Sequence, residues 1–245
     1  MEILVIKIFD SEEALALSIA NEMKEQLKTK ENSVFCLAAG STASKCYKEF
    51  AKDYEEEKIK RVSFVSLDEW IGISSDTKGS CYQMLHEDLF SRLPLSKEQI
   101  IFYDTVDTNL EEECERIDTY ICNNPITFSL MGVGMNGHIG LNEPGTPILN
   151  HSSVVPLSDT TKSVSQKYFA KPTFVEQGIT LGLQQIIDSE RVIVVVTGAH
   201  KKEIVREIME NSVSKLPAQE LLGFEYIDFY LDKEAAQLLR QEFYR

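Results

Sequence analysis

The sequence has little positive charge, since 25 lysine and arginine residues stand against 39 acidic ones and leave a formal net charge of −14 over 245 residues. Affinity for a nucleic-acid backbone comes from clustered lysine and arginine, so this balance argues against nucleic acid as a partner. We therefore expect that any phosphate group the protein binds is held by a local site rather than by a broad basic surface.

Long apolar runs are also missing. The most strongly apolar stretch, RVIVVVT at 191–197, is far shorter than the roughly 20 residues that a membrane-spanning helix needs. The first residues, MEILVIKIFDSEE, have neither a basic leader nor a small-residue cleavage site and so do not resemble a signal peptide. These features predict a cytoplasmic protein without a membrane partner.

Cysteines with metal-binding or redox spacing are absent. The five cysteines form no CxxC pair and no Cys/His spacing suited to zinc, and their odd number leaves at least one thiol unpaired in a monomer. Reduced thiols in a cytosolic protein are the simplest interpretation, and we expect no metal site. Linkers, repeats and low-complexity stretches are missing too, which predicts one domain over residues 1–245.

What the sequence does contain is a repeated alternation of strand-like and helix-like segments. Strands are predicted over 3–9, 34–39, 62–67, 100–103, 126–131, 192–197 and 224–231, and helices over 11–30, 42–54, 82–93, 110–122, 201–209 and 233–244. Several strands are apolar at consecutive positions, which is typical of strands covered on both faces. The alternation predicts an α/β fold, namely a three-layer, doubly wound, mostly parallel and Rossmann-like sheet with helices on both faces.

In such folds ligands bind beyond the carboxyl ends of the strands, and reactive side chains follow four of the predicted strands. Gly40, Ser41 and Thr42 form a small-residue turn that could offer N–H groups and hydroxyls to a phosphate, although an ordinary helix cap is the simpler explanation of this turn alone. Asp68 and Glu69 follow the next strand. They are candidates for acid or base chemistry, and solvated loop carboxylates are the alternative.

The most informative segment is the glycine-rich loop GVGMNGHIGLNEPG at 132–145. Three of its glycines match the GxGxxG dinucleotide pattern, but Pro144 stops any helix that would follow, so we discard a dinucleotide site. What remains is a loop that presents His138, Asn142 and Glu143. A nearby carboxylate can hold a histidine in one tautomer, as proton transfer near neutral pH requires, and a structural histidine is the alternative.

The fourth segment is TGAHKK at 197–202, after the most apolar strand. Lys201 begins the next predicted helix and could neutralise a substrate phosphate. An ordinary surface lysine is the alternative interpretation.

Together these segments resemble the glucosamine-6-phosphate deaminase and isomerase family, which includes the 6-phosphogluconolactonases as more distant relatives. The similarity runs from about residue 35 to residue 218, and the loop at 132–145 is typical of the deaminase branch. Within that branch the chain resembles the galactosamine-6-phosphate enzymes most, on LDEW at 67–70, NGHIGLNEPG at 136–145 and GITLGL at 178–183. Trp70 stands where the glucosamine enzymes typically carry tyrosine.

The resemblance implies a cofactor-free reaction on a small sugar phosphate. An amino sugar 6-phosphate, in the first place galactosamine 6-phosphate, would be opened, isomerised to a ketose 6-phosphate and deaminated. By the same resemblance Asp68 is the base that moves a proton from C2 to C1, and His138, oriented by Glu143, handles the ring-oxygen proton. The implied substrate-binding residues are Gly40, Ser41, Thr42, Gly137, Lys167 and Lys201, with Lys162 as the alternative to Lys167.

Two departures from the family pattern bear on this expectation. Asn136 stands where the glucosamine enzymes have an aspartate of the ring-opening triad, so we expect the charge that supports a protonated His138 to come from Glu143 alone. By its position in the triad we count Asn136 among the catalytic residues, and we interpret it as a marker of substrate class. Residues 146–159 lack the basic residues that bind the effector of allosteric glucosamine enzymes, which predicts no activation by N-acetylglucosamine 6-phosphate.

Alternatives remain open at this point. They are the same chemistry on glucosamine 6-phosphate, a 6-phosphogluconolactonase, and a catalytically silent regulator that binds a sugar phosphate. The chain could also form a homo-oligomer.

Overall fold

A computed structural model describes residues 5–211 and 213–243. Within these residues ten strands run in chain order: β1 (Val5–Phe9), β2 (Ser33–Leu37), β3 (Val62–Ser66), β4 (Asp68–Trp70), β5 (Ile100–Ile101), β6 (Phe128–Gly132), β7 (Ser153–Pro156), β8 (Gln177–Thr180), β9 (Val192–Val196) and β10 (Ile227–Asp232). Seven of them form one parallel sheet in the order β1-β10-β9-β6-β2-β3-β5. The predicted mostly parallel sheet is confirmed.

The described helices are α1 (Glu12–Thr29), α2 (Ser41–Phe50), α3 (Glu56–Ile59), α4 (Cys81–Asp88), α5 (Leu110–Asn123), α6 (Asp159–Ser165), α7 (Leu183–Ile187) and α8 (Lys202–Glu210). All of them except α6 contribute buried side chains to the two apolar cores that lie on either face of this sheet. Successive residues of a strand point to opposite faces. Phe35 of β2 accordingly packs with α1, α2 and α4, whereas Cys36 packs with α5, α7 and α8. The result is the predicted three-layer arrangement.

The first helix shows how the sequence specifies these elements. Ser11 caps α1, its side chain accepting the N–H of Ala14 at 3.1 Å. The four-residue stripe of Leu15, Ile19, Met23 and Leu27 is buried, as its spacing predicts.

A second, three-stranded sheet was not predicted. It has the antiparallel order β4-β8-β7 and takes up Asp68–Trp70, which the sequence suggested as a loop. Strands of three or four residues are too short to show a periodic pattern. This small sheet fixes the backbone at Asp68 immediately after β3.

Several predicted boundaries were wrong. The helix expected over 82–93 ends at Asp88 and continues only as a 3₁₀ turn at Phe90–Arg92. The helix expected over 233–244 is a series of turns followed by a 3₁₀ turn at Gln241–Phe243, because the Asp232 carboxylate accepts the N–H of Ala235 at 2.7 Å and fixes a tight turn there. Residues 3, 4 and 244 lie outside the described residues.

Within residues 5–211 and 213–243, no helix combines the length and the apolar character that crossing a bilayer demands. That residues 1–245 form a single domain stays a prediction.

Candidate active site

The loops that follow β2, β3, β6 and β9 meet in one cleft of about 940 Å³, a volume that includes space open to solvent. These strands end at the same edge of the parallel sheet, where ligands bind in this class of fold. Most of the predicted site residues line the cleft: Gly40, Ser41, Thr42, Asp68, His138, Lys167 and Lys201.

The N-terminus of α2 forms one wall of this cleft. Gly40 is the N-cap and has φ 114°, and no side chain of the described residues caps the helix. The first-turn N–H groups of a helix lack intrahelical partners, and here the adjoining hydroxyls of Ser41 and Thr42 also line the cleft. The φ of Gly40 lies in the region that favours glycine, and a Cβ at this position would also come within 3.0 Å of the Tyr168 hydroxyl. This wall can receive an anion.

Asp68 also lines the cleft, at the start of β4, and is half-buried. Burial raises the pKa of its carboxyl to about 6, against the lowering effects of a hydrogen bond from the Cys81 thiol and of the positive charge that His138 can carry. A carboxyl with this pKa is mostly ionised at neutral pH and can still be protonated, so it can both take and return a proton.

Glu69, the next residue, faces away from the cleft because side chains alternate along a strand. It is 2% exposed, and its carboxylate accepts the N–H groups of Trp70 and Cys81 at 2.9 Å each and of Tyr82 at 3.0 Å. Burial raises its pKa to about 7, although these three hydrogen bonds oppose the shift. Glu69 therefore ties β4 to the N-terminus of α4, which the sequence did not reveal.

His138 also lines the cleft, with its imidazole ring next to the backbone of Gly134. A Cβ at position 134 would come within 2.3 Å of the imidazole ring, so only glycine leaves room for it. The His138 Nδ1 atom is 3.6 Å from Glu143 Oε2 and 3.1 Å from the hydroxyl oxygen of Thr161. The predicted pairing with Glu143 is thus present, but the hydroxyl of Thr161 is the nearer partner.

Glu143 is buried and accepts an unusual number of hydrogen bonds. Its Oε2 accepts from Asn136 Nδ2 at 2.7 Å, and its Oε1 accepts from Thr161 Oγ1 at 2.5 Å and from the N–H and hydroxyl of Ser158 at 3.2 and 3.1 Å. Burial works to raise its pKa, but the contacts with His138, Thr161 and Asn136 outweigh burial and lower the pKa to about 2. Glu143 is therefore ionised at neutral pH and places a negative charge next to His138.

Three predicted site residues of this loop, Asn136, Gly137 and Glu143, do not line the cleft. Asn136 orients Glu143 through the hydrogen bond just described and has no part of the cleft surface. Gly137 is turned towards Leu216, and its N–H donates to the Gly134 carbonyl at 3.1 Å, so the structure does not support a direct contact with substrate. Its φ of 82° serves the turn instead. Asn142 is also structural, since its amide group bonds to the backbone of Ile139, Leu181 and Leu183.

Lysines supply positive charge to the same cleft. Lys201, just before α8, is 8% exposed and donates from Nζ to the Val133 carbonyl at 2.6 Å. Burial, and to a lesser extent the charge of nearby Lys167, lowers its pKa to about 8. Lys167 lines the cleft, whereas Lys162 forms an ion pair with Glu176 outside it. The structure thus favours the choice of Lys167 over Lys162.

The remaining wall comes from α6 and the residues after it, which the sequence interpretation missed except for Lys167. The contributing side chains are Thr160, Thr161, Val164, Ser165 and Tyr168. A signal was available, because Ser158 caps α6 by accepting the N–H of Thr161 at 3.2 Å, and a serine before a short polar segment is a typical helix start.

Among the described side chains, no group of three or more His, Cys, Asp and Glu is placed to hold a metal ion. That the reaction needs neither metal nor cofactor stays a prediction.

Comparison with known proteins identifies the family. Residues 10–225 match the model of the family described as glucosamine-6-phosphate isomerases/6-phosphogluconolactonase. The chain belongs to this family. Curated relatives include glucosamine-6-phosphate deaminases from Bacillus cereus strains B4264 and G9842, which are 33% and 34% identical over 240 residues, that is, 97% of this chain and 89% of each relative.

Solved structures of the family share the fold. A monomeric glucosamine-6-phosphate deaminase, described as a missing link of the NagB superfamily, has a TM-score of 0.90 at 28% identity and covers 96% of this chain and 100% of its own. A 6-phosphogluconolactonase from Trypanosoma brucei has a TM-score of 0.80 at 22% identity, covering 98% of this chain and 100% of its own. At that identity the second likeness concerns the fold alone.

Proposed function

We propose that the protein catalyses the isomerising deamination of an amino sugar 6-phosphate, giving a ketose 6-phosphate and ammonia. The observation that carries this proposal is the meeting, in one cleft, of a carboxyl with a pKa of about 6 and a histidine backed by an ionised carboxylate. Family membership supports it, and the curated relatives named above are deaminases of this kind.

In this proposal the phosphate binds between the N-terminus of α2 and the two lysines. The hydroxyls of Ser41 and Thr42 and the backbone N–H groups beside Gly40 donate to its oxygens, and Lys167 and Lys201 balance its charge. A local cradle of this kind can hold one dianion even though the chain carries a net charge of −14.

Ring opening then falls to His138. The imidazole takes the proton of the anomeric hydroxyl and delivers it to the ring oxygen, so the C1–O5 bond breaks and an open-chain aldehyde forms. During this transfer the imidazole of His138 is briefly protonated on both nitrogens and positively charged, and ionised Glu143 stabilises that charge.

Asp68 acts on the open chain. Its carboxylate removes the C2 proton while the C1 carbonyl oxygen takes up a proton and becomes a hydroxyl, which gives an enolamine. The same carboxyl then returns its proton to C1, and the proton gained by the C1 oxygen is balanced by the one that the C2 nitrogen loses. The nitrogen on C2 becomes an imine, and addition of water to C2 releases ammonia and leaves the ketone. One carboxyl with a pKa near the working pH suits both halves of this transfer.

Within this proposal we place galactosamine 6-phosphate first. Trp70 lines the cleft in the position where tyrosine is typical of the glucosamine enzymes, and Asn136 takes the place of their triad aspartate. Glucosamine 6-phosphate is the second candidate, because the curated relatives named above carry that substrate in their names. The two sugars differ only at C4. A cytoplasmic location, without nucleic-acid or membrane partners, belongs to the same proposal and rests on the sequence.

The test compares kcat/KM for ammonia release from galactosamine 6-phosphate and from glucosamine 6-phosphate, with 6-phosphogluconolactone hydrolysis as a third arm. We expect ammonia from both sugars and a higher kcat/KM for galactosamine 6-phosphate. A higher value for glucosamine 6-phosphate would reverse the order of the two substrates. Lactone hydrolysis without ammonia release would replace the proposed reaction, and binding without any turnover would favour the silent regulator.

A further inference from the structure

The hydroxyl of Thr161 lies between the imidazole of His138 and the carboxylate of Glu143. Its oxygen is 3.1 Å from His138 Nδ1 and 2.5 Å from Glu143 Oε1, and Thr161 is 3% exposed. The direct distance from His138 Nδ1 to Glu143 Oε2 is 3.6 Å, too long for a normal hydrogen bond. The shortest polar route between the two side chains therefore passes through Thr161.

The number of hydrogens on each group fixes which atom donates in each of these hydrogen bonds. The ionised Glu143 carboxylate can only accept, so the one hydrogen of the Thr161 hydroxyl goes to Oε1. The Thr161 oxygen then keeps two lone pairs, and the Ser158 hydroxyl, 3.1 Å away, can donate to one of them. In the contact with His138 the oxygen can only accept, so Nδ1 must supply the hydrogen. The resulting chain is Nδ1–H to Oγ1, then Oγ1–H to Oε1.

The second nitrogen of the imidazole, Nε2, faces the cleft. Within the described part of the chain, His138 Nε2 has no hydrogen-bond partner, and the ring lines the cleft beside Gly134. A neutral imidazole protonated at Nδ1 carries its lone pair on Nε2.

We propose that Thr161 is a positioning residue that fixes His138 in the tautomer protonated at Nδ1 and so leaves Nε2 as the basic nitrogen in the cleft. The consequence for ring opening rests on the proposed function, in which His138 moves the proton of the sugar ring. The tautomer itself is a property of the free protein and does not depend on the substrate.

The helix that carries Thr161, α6, is bonded to the carboxylate of Glu143. Ser158 caps α6 and also donates to Glu143, so the helix N-terminus is tied to the same carboxylate. Thr160 and Val164 of this helix line the cleft. The wall of the cleft and the tautomer of His138 are thus fixed by one network.

The test uses Thr161→Val, which removes the hydroxyl at nearly constant shape, and Thr161→Ser, which keeps it. Nitrogen-15 NMR of the histidine rings at a pH where they are neutral reports the tautomer, and the signals of His138 are assigned by their loss in His138→Gln. We expect the Nδ1-protonated form in the wild type and in Thr161→Ser, and a mixture in Thr161→Val. We also expect kcat to fall by roughly 10- to 1000-fold in Thr161→Val and to recover to within about threefold in Thr161→Ser.

Thr127→Val is the matched control. Thr127 is also buried, and its hydroxyl bonds to the backbone of Val34 at 3.1 Å, away from the cleft. We expect it to lower stability and leave the His138 signals unchanged. Thr161→Ala gives the same readout if the valine variant does not fold.

One tautomer retained in both Thr161→Val and Thr161→Ala would overturn the proposal. Absence of ammonia release from the wild type would refute the proposed function and leave the NMR result to decide the role of Thr161.

Discussion

Replacing Glu143 by glutamine should remove a large, pH-dependent part of the stability of the site. The carboxylate accepts hydrogen bonds from Asn136, Thr161 and both the N–H and the hydroxyl of Ser158. Glutamine keeps the size of the side chain but offers only one acceptor oxygen. Its amide nitrogen is a donor and would replace the other oxygen, so the groups that donate to that oxygen would lose their acceptor. The expected result is a loss of unfolding free energy at neutral pH.

The pKa of Glu143 gives the size of that loss. Its value falls from 4.5 to about 2 on folding, and a shift of this size corresponds to about 3 kcal/mol of stability. Because the folded pKa is the lower one, this stability is present above pH 4.5 and is lost as the pH falls towards 2. By pH 3 about 2 kcal/mol of it should be gone.

The assay is urea unfolding of the wild type and of Glu143→Gln at pH 7 and at pH 3. We expect a gap of about 3 kcal/mol at pH 7 that shrinks to about 1 kcal/mol at pH 3. Glu57→Gln, at an exposed residue paired with Lys60, is the control and should change stability by less than about 0.5 kcal/mol. A gap of the same size at both pH values would refute the account of Glu143 as an ionised acceptor.

Three further predictions concern activity. Because burial raises the pKa of Asp68 to about 6, kcat/KM measured across pH should fall about tenfold per unit below pH 6, and a flat profile down to pH 5 would contradict a base at this position. The pKa of Lys201 is lowered to about 8, so the lysine loses its charge above pH 8 and KM should rise there. Lys201→Met should raise KM at pH 7 by roughly 10- to 100-fold and should abolish the further increase of KM above pH 8. An unchanged KM would exclude a phosphate contact. Gly134→Ala should push the His138 ring aside and so lower kcat in steady-state assays. In urea unfolding the same variant should lose about 1 to 3 kcal/mol of unfolding free energy. A fully active variant would contradict the close contact between the two residues.

The parts of the fold that could be predicted are those with long or repeated signals. The strand at Val192–Val196 is apolar at every position and buried throughout, and α1 has a complete four-residue stripe. The position of reactive loops followed from the same strands, because ligands bind where parallel strands end. Asp68, His138 and Lys201 meet in the cleft for that reason.

What could not be predicted depends on contacts between segments distant in the chain. Thr161 reaches His138 only because α6 packs against the loop at 132–145, and no local pattern shows this. Glu69 looked like a second cleft carboxylate, but its place in a three-residue strand turns it towards α4. Gly137 looked like a ligand contact, and its conformation serves the turn below His138.

The most direct measurement of the central claim is the stoichiometry of ammonia and ketose 6-phosphate released from galactosamine 6-phosphate by the wild type and by Asp68→Asn. We predict equal amounts of the two products from the wild type. For Asp68→Asn we predict almost no turnover with substrate affinity nearly unchanged in calorimetry, because the base acts in the transition state rather than in binding. Full turnover by Asp68→Asn, or no ammonia from the wild type with either amino sugar phosphate, would contradict the account.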